Sequence, residues 1–224
     1  MTADDTPKGY ASPACMAGEI APGWFGEEPA VDAETARDVA RWRKAQRQQA
    51  LDARAALSVA ERQVFAERLA EHLDALLAEI MPEVAGRVIA GYWPIKSEPD
   101  LRPWLIRLQE RGAVTAMPVV AVQKAPLVFK PWKRGDPITR GHWNIPEPAT
   151  DETVTPDLAL APFLGWDGEG YRLGYGGGYY DRTLAQISPV TVGIGLHDAR
   201  LATIFPQPHD IALTHIVTEE GRQV

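Results

Sequence analysis

Gly170-Tyr-Arg-Leu-Gly-Tyr-Gly-Gly-Gly-Tyr-Tyr-Asp-Arg182 follows an apolar pentapeptide, Leu158-Ala-Leu-Ala-Pro162, and runs into a short helical pattern near Tyr180–Gln186. Strand, glycine-rich loop, helix is the order found where α/β sheets bind ligands, beyond the carboxyl ends of their strands. Gly174, Gly176, Gly177 and Gly178 allow backbone turns that other residues resist, and bare N–H groups can then approach an anion. Arg172 and Arg182 flank the loop with permanent positive charge, and Asp181 stands at the expected helix start, as an N-cap or as an oxygen ligand for Mg²⁺. The loop is not a P-loop, because G-x-x-x-x-G-K-S/T is missing. Nor is it a dinucleotide fingerprint, because Tyr179 stands where G-x-G-x-x-G needs its last glycine. Glycines alone would indicate only a tight turn; with two arginines, tyrosines and an aspartate they indicate a phosphate site.

Outward from the loop, the pattern alternates. Val88–Tyr92, Ala113–Val120, Leu127–Trp132, Leu158–Pro162, Thr191–Gly195 and Leu213–Thr218 read as strands. A helix with Leu101, Trp104, Leu105 and Leu108 on one face stops at Gly112. Gly135–Pro156 is Pro-rich and reads as irregular. Upstream, a basic helix begins near Glu34. Ser58 opens a second helix with Glu61 three residues on, a capping box, and Phe65, Leu69, Leu73, Leu76, Leu77 and Ile80 form its apolar face. The expected fold is therefore α/β: a mainly parallel sheet flanked by helices, with a basic N-terminal helical pair and an acidic, irregular N-terminal extension. The expected division is 1–33 for the extension and 34–224 for a single α/β domain.

The chain has 224 residues, 45% of them hydrophobic and 24% charged, enough to bury a core without staples. Cys15 is its single cysteine, which excludes an intrachain disulfide and a cysteine-built zinc site. Seven of the acids, against one base, fall within residues 1–36, so the remainder is nearly neutral although the net charge is −7. A neutral body argues against general nucleic-acid binding. No apolar run reaches membrane-spanning length, and the first residues lack the basic and apolar regions of a secretory signal. The expectation is a cytoplasmic protein. Ser12–Phe25 carries Met16, Ile20, Trp24 and Phe25 and has no assignable chemistry. His72, His197 and His215 show no metal-ligand spacing, with His72 read as surface. No G-x-S-x-G elbow supports a Ser-His-Asp triad.

Three further stretches carry chemistry. His142-Trp-Asn-Ile-Pro-Glu-Pro148 holds Trp143 on a proline-stiffened loop, either as a flat face for a heteroaromatic ring or as a buried anchor. Tyr92-Trp-Pro-Ile-Lys-Ser-Glu-Pro-Asp100 follows the first α/β strand; its acids suit a helix start, Asp100 better than Glu98, and Lys96 reads as a surface lysine. On the basic helix, Arg43, Arg47 and Arg54 share one face at spacings of four and seven, and Arg37, Arg41 and Lys44 share another.

These stretches together, with Arg172-Leu-Gly-Tyr-Gly-Gly-Gly-Tyr-Tyr-Asp-Arg182 foremost and the closing Pro206–Glu219 in support, resemble the 5-formyltetrahydrofolate cyclo-ligase (5,10-methenyltetrahydrofolate synthetase) family over roughly Arg43–Glu219. The resemblance implies a ligase of one-carbon metabolism that uses ATP and Mg²⁺ to close 5-formyltetrahydrofolate to the 5,10-methenyl compound, releasing ADP and phosphate. Carried over residue by residue, it implies that Arg43 and Arg47 hold the triphosphate, in place of the family's Lys-x-x-x-Arg, with Lys44 as the alternative to Arg43. It implies that Arg172, Gly174, Tyr175, Gly176, Gly177, Gly178, Tyr179 and Tyr180 bind ATP, and that Trp93, Glu98, Trp143, Tyr175 and Tyr179 bind the folate. Arg172 and Asp181 would be catalytic, and Asp181 would hold Mg²⁺. Some members use an acid where Pro208 stands, so Asp210 or water would serve instead. The implied partners are small molecules, on a monomer. Two other readings stand beside it: an inactive or regulatory folate- or nucleotide-binding relative, and an ATP-dependent enzyme for a different heterocycle.

Overall fold

In the computed structural model, which describes residues 33–224, two long helices come first: α1, Ala33–Ala56, and α2, Val59–Ile80. Residues Ala40–Val224 form one compact unit. Ser58 caps α2 as its sequence requires. Its Oγ accepts from the Glu61 N–H at 3.2 Å, and Glu61 Oε2 accepts from the Ser58 N–H at 2.8 Å. The expected extension, with Ser12–Phe25, lies outside the described residues.

The central sheet has seven strands. Five run parallel: β1 (Val88–Ala90), β2 (Val114–Val119), β6 (Leu158–Pro162), β9 (Val190–Ile194) and β10 (His215–Thr218). The outer two, β3 (Val128–Pro131) beside β2 and β11 (Gly221–Arg222) beside β10, are antiparallel. The order is β11-β10-β9-β6-β1-β2-β3. After β1 the chain steps to one side and forms β2 and β3, then returns to the other side of β1 as β6. The sheet thus reverses direction between β1 and β6, and both connections leave their carboxyl ends on opposite courses. A crevice opens at such a switch point, and ligands bind there.

Successive strand residues point to opposite faces, and here their sizes differ by face. Ile89, Met117, Leu158, Leu160, Val192 and Ile194 pack with the apolar stripe of α2 and with Trp104, Leu105 and Leu108 of α3, Arg102–Glu110. Their neighbours Ala90, Ala116 and Ala159 pack with Phe129 and Ile187. On that same small-residue side, Ala161 joins Phe163, Trp166 and Ile216, with Tyr180 and Leu184 of the short helix α4, Tyr179–Leu184, against them. Alanines let α4 and the loop before it sit close to the sheet.

Several local expectations are revised. Gly135–Pro156 contains a hairpin of β4, Ile138–Arg140, and β5, Pro146–Pro148, with a 3-10 turn at His142–Asn144 between them. A second hairpin, β7 (Gly165–Trp166) and β8 (Arg172–Leu173), separates β6 from the glycine-rich loop, so the strand entering that loop is β8. Gly178, at φ +63°, is the N-cap of α4; Asp181 lies inside its first turn and uses its carboxylate elsewhere. His72 is half-buried, its Nε2 3.2 Å from the Glu219 carbonyl, rather than ordinary surface. No helix among the described residues is long and apolar enough to cross a membrane.

Candidate active site

The crevice at the switch point is a cleft of about 470 Å³. It takes Tyr92, Trp93 and Glu98 from beyond β1, Pro118 and Val120 from the end of β2, and Pro162 from the end of β6. Arg43 and Arg47 enter from α1, Trp143 and Ile145 from the β4–β5 hairpin, and the whole of Leu173–Asp181 from the glycine-rich loop. The fifteen residues to which the resemblance gives a site role all line this one cleft, whereas Arg182 does not. Lys44 is exposed and lines none of it, so Arg43 is the side chain that α1 offers here.

One end of the cleft gathers groups whose chemistry suits an anion. Gly176 and Gly178 have φ of +91° and +63°, which glycine adopts without strain. Among the described residues, none of the backbone N–H groups of Gly174–Gly178 donates a hydrogen bond. Backbone donors left open in a curved loop form a concave anion site. Arg47 donates from Nε to the Gly174 carbonyl at 2.7 Å, and a side chain at Gly176 would crowd its guanidinium, whose carbon lies 3.3 Å from an added Cβ. Burial and neighbouring Arg43 lower the Arg47 pKa from its ordinary value, while Asp210 opposes that shift. Arg172, with its side chain 5% exposed, donates from Nη1 to Asp181 Oδ1 at 3.1 Å and lies over the Tyr180 ring.

The two candidate metal residues are placed differently. Asp181 Oδ1 accepts from Arg172 and from the Ile211 N–H, and its Oδ2 holds no bond among the described residues. Asp210 is engaged on both oxygens. Arg43 donates to Oδ2 at 2.5 Å and to Oδ1 at 3.4 Å, and the Gln207 N–H donates to Oδ2. Burial alone would raise the Asp210 pKa, but these bonds and the Arg43 charge hold it below the ordinary carboxylate range. Arg43 also donates to the carbonyls of Ile204 and Phe205, so much of its guanidinium is committed to the protein. No group of three acidic, histidine or cysteine side chains among the described residues forms a metal cage. A single carboxylate with an open oxygen beside a phosphate cradle does fit Mg²⁺, which keeps waters and shares its coordination with substrate phosphates.

The other end of the cleft is aromatic and carries one buried acid. Ile95–Glu98 close a tight turn through Lys96 and Ser97, both left-handed at φ +47° and +61°. The turn folds the Glu98 carboxylate back so that Oε2 accepts the Ile95 N–H at 2.9 Å, and Oε1 accepts from the Tyr175 hydroxyl at 2.7 Å. Glu98 is 6% exposed; burial raises its pKa, and the Ile95 N–H, the Tyr175 hydroxyl, Arg54 and Lys96 counter that. Asp100 takes the helix-start role, accepting the Arg102 N–H at 3.1 Å. Trp143 stands 64% exposed at the rim, edge-on to Tyr179 with ring centroids 5.7 Å apart. It is a presented surface rather than a buried anchor. Lys96 is exposed, its ammonium 5.2 Å from the centre of the Tyr175 ring.

Arg54 was given no role by its sequence context, yet it is 3% exposed and bonds the Tyr175 hydroxyl at 3.0 Å. Its spacing from Arg43 and Arg47 was the available signal. Leu127 and Pro118 also line the cleft with nothing in their sequence pattern to mark them, and His209, which reads from the sequence as an exposed turn histidine beside Asp210, stands at its edge with its side chain 74% exposed.

Fold and cleft together define an α/β protein whose switch-point crevice sets an anion cradle beside an aromatic wall with a buried carboxylate. The chain belongs to the 5-formyltetrahydrofolate cyclo-ligase family, whose model matches residues 39–219. It is 33% identical over 147 residues to the 5-formyltetrahydrofolate cyclo-ligase of Mycolicibacterium smegmatis, covering 61% of this chain and 75% of that one. The solved 5,10-methenyltetrahydrofolate synthetase of Aquifex aeolicus superposes with a TM-score of 0.66 at 27% identity, over 81% of this chain and 91% of that one. The Mycoplasma pneumoniae synthetase gives 0.63 at 25% identity, over 79% and 98%.

Proposed function

We propose that this protein converts 5-formyltetrahydrofolate to 5,10-methenyltetrahydrofolate at the expense of ATP, which leaves as ADP and phosphate. The observation that carries the reading is the juxtaposition, in one cleft, of the open glycine-rich backbone with Arg172 and of Glu98 with Trp143. An N-formyl group is an amide and a poor electrophile. Transfer of the γ-phosphoryl group to the formyl oxygen breaks the bond to ADP and turns that oxygen into a leaving group. N10 of the same folate then attacks the formyl carbon, the five-membered ring closes, and phosphate departs.

Phosphoryl transfer calls for positioning and charge neutralisation more than for a covalent nucleophile. The N–H groups of Gly174–Gly178 cradle phosphates, and Arg47, held to the Gly174 carbonyl through Nε, turns its remaining nitrogens to the triphosphate. Arg43 contributes field more than contact, being tied to Asp210. Arg172 stabilises charge on the transferring group. Asp181, with one oxygen open, would hold Mg²⁺, whereas Asp210 has both oxygens engaged by the protein. Mg²⁺ supplies charge neutralisation at the phosphates. Glu98 accepts from the donor edge of the aminopyrimidinone ring, and Trp143, Trp93, Tyr175 and Tyr179 enclose the heterocycle. Holding both reactants in one cleft makes ring closure intramolecular, a large advantage for oriented groups. The described residues complete this cleft within a single chain, which supports the reading of a monomeric enzyme.

The test mixes protein, 5-formyltetrahydrofolate, ATP and Mg²⁺ and follows the near-ultraviolet absorbance of the conjugated methenyl product. An ATP-dependent rise is expected, and Asp181→Ala should lower it by about a hundredfold or more while leaving the fold intact, in line with loss of a transition-state contact. ATP binding without a rise would assign the cradle to another substrate; near-normal Asp181→Ala turnover would remove its metal role.

A further inference from the structure

The side of α1 that bears Arg43 and Arg47 continues to Arg54. At about 100° per residue the three arginines fall within about 40° of one another, and Arg54 lies about 16 Å further along the axis than Arg43. Arg54 is not among the side chains that line the cleft; it sits behind the wall formed by Tyr175 and Glu98. Its Nη1 donates to the Tyr175 hydroxyl at 3.0 Å, and its Nη2 donates to the Phe163 carbonyl. Nη1 is also 3.8 Å from Glu98 Oε1, with both side chains under 5% exposed.

Donor and acceptor logic fixes the direction of this chain of contacts. A guanidinium can only donate, so the Tyr175 oxygen accepts from Arg54 and its proton points to Glu98 Oε1. Ile95 N–H occupies one acceptor site on Oε2. Each carboxylate oxygen keeps a further acceptor site, and only the ionised form keeps them all.

We propose that Arg54 is a positioning residue for the folate: from behind the cleft it holds Glu98 ionised and orients the Tyr175 hydroxyl, so that Glu98 presents acceptors alone to the heterocycle. The inference rests on Glu98 being the folate acceptor. It makes one helix face serve both substrates, the phosphate end through Arg47 and the folate end through Arg54. The charged and titratable groups around Glu98 are Arg54 from α1, Lys96 and Asp100 from its own loop, Tyr175 from the glycine-rich loop, Tyr92 from beyond β1 and Tyr180 from α4. Burial and the Glu98 charge raise all three tyrosine pKa values above the ordinary phenol range, so these groups stay neutral. Arg54 and Lys96 are the cations, and Lys96 is exposed where Arg54 is buried.

The experiment measures KM for 5-formyltetrahydrofolate and for ATP from about pH 6 to 9 in wild type, Arg54→Met, Arg54→Lys and Glu98→Gln. Loss of the buried cation raises the Glu98 pKa, so the pH below which folate binding weakens should move upward in Arg54→Met. Folate KM should rise about tenfold near neutral pH, the scale of a lost charged hydrogen bond, with ATP KM unchanged. Arg54→Lys keeps the charge without the fork, so its profile should shift the same way by less; it carries the test should Arg54→Met not fold. Glu98→Gln should raise folate KM and abolish the pH dependence. A folded Arg54 variant with the wild-type profile, or one raising both KM values equally, overturns the inference while the Glu98 reading stands. An unchanged folate KM in Glu98→Gln removes the Glu98 reading, and this inference with it.

Discussion

Glu98 and Trp143, the groups proposed to meet the folate, are delivered by the same backbone device. Glu98 follows Lys96 and Ser97, and Trp143 and Asn144 form an equivalent pair at φ +54° and +59°. Two consecutive left-handed residues without a glycine between them cost on the order of 1–3 kcal/mol each, and they persist where the surroundings over-determine them. Here the Ile95–Glu98 turn bonds do so for the first pair. The Gly141 N–H to Ile145 carbonyl bond does so for the second. Trp143 is thereby pushed out to the rim, 64% exposed, with the His142 ring tilted against it at 4.4 Å and Tyr179 edge-on. Trp143→Ala should raise folate KM by about tenfold, the scale of a lost aromatic stack, and leave ATP KM within about twofold. Equal increases in both would show that Trp143 merely shapes the rim. At the phosphate end, Arg43 illustrates the limit of a residue-by-residue reading. Its sequence position matches a phosphate ligand, but its guanidinium is largely taken up by Asp210 and two carbonyls.

Among the elements, α1 and α2 were readable because their signals are local. The capping box at Ser58 satisfies two backbone donors with groups three residues apart, and no tertiary contact enters into it. Ser58→Ala should lower stability by about 1 kcal/mol, read as a shift in the denaturation midpoint, with both KM values unchanged because the cap is remote from the cleft. A change in either KM would instead couple the α1–α2 joint to the site. The β4–β5 hairpin was not readable. Its strands carry Pro146 and Pro148 and the exposed Ile138–Arg140, so neither alternation nor β-propensity marks them. Pairing with each other, and the Lys130 to Glu147 ion pair at 3.5 Å, hold them in place. The β7–β8 pair was missed for a similar reason, being two residues per strand.

For the molecule as a whole, the governing feature is the two-sided sheet. The large-residue face against α2 and α3 builds the core, and the alanine face lets α4 and the glycine-rich loop approach the switch point. Ala159→Leu should overpack that second face, destabilising by about 2 kcal/mol and raising both KM values together, because the displaced layer carries both halves of the cleft. Unchanged KM values would show that the loop is positioned independently of the sheet spacing. The sequence by itself determined the α/β class, the mainly parallel sheet, the capping box of α2 and the place of the glycine-rich loop. Those follow from periodicities and glycine chemistry that act within a few residues. Tertiary structure decided what meets what. It tied Arg43 to Asp210 across the chain and left one oxygen of Asp181 open. It also drew Arg54, Tyr175 and Glu98 into one buried relay. Such partners lie 77 residues apart along the chain for Glu98 and Tyr175, and 121 for Arg54 and Tyr175. Burial is what makes their pairing obligatory, since a charge removed from water needs a counterpart and local sequence carries no record of which distant residue supplies it.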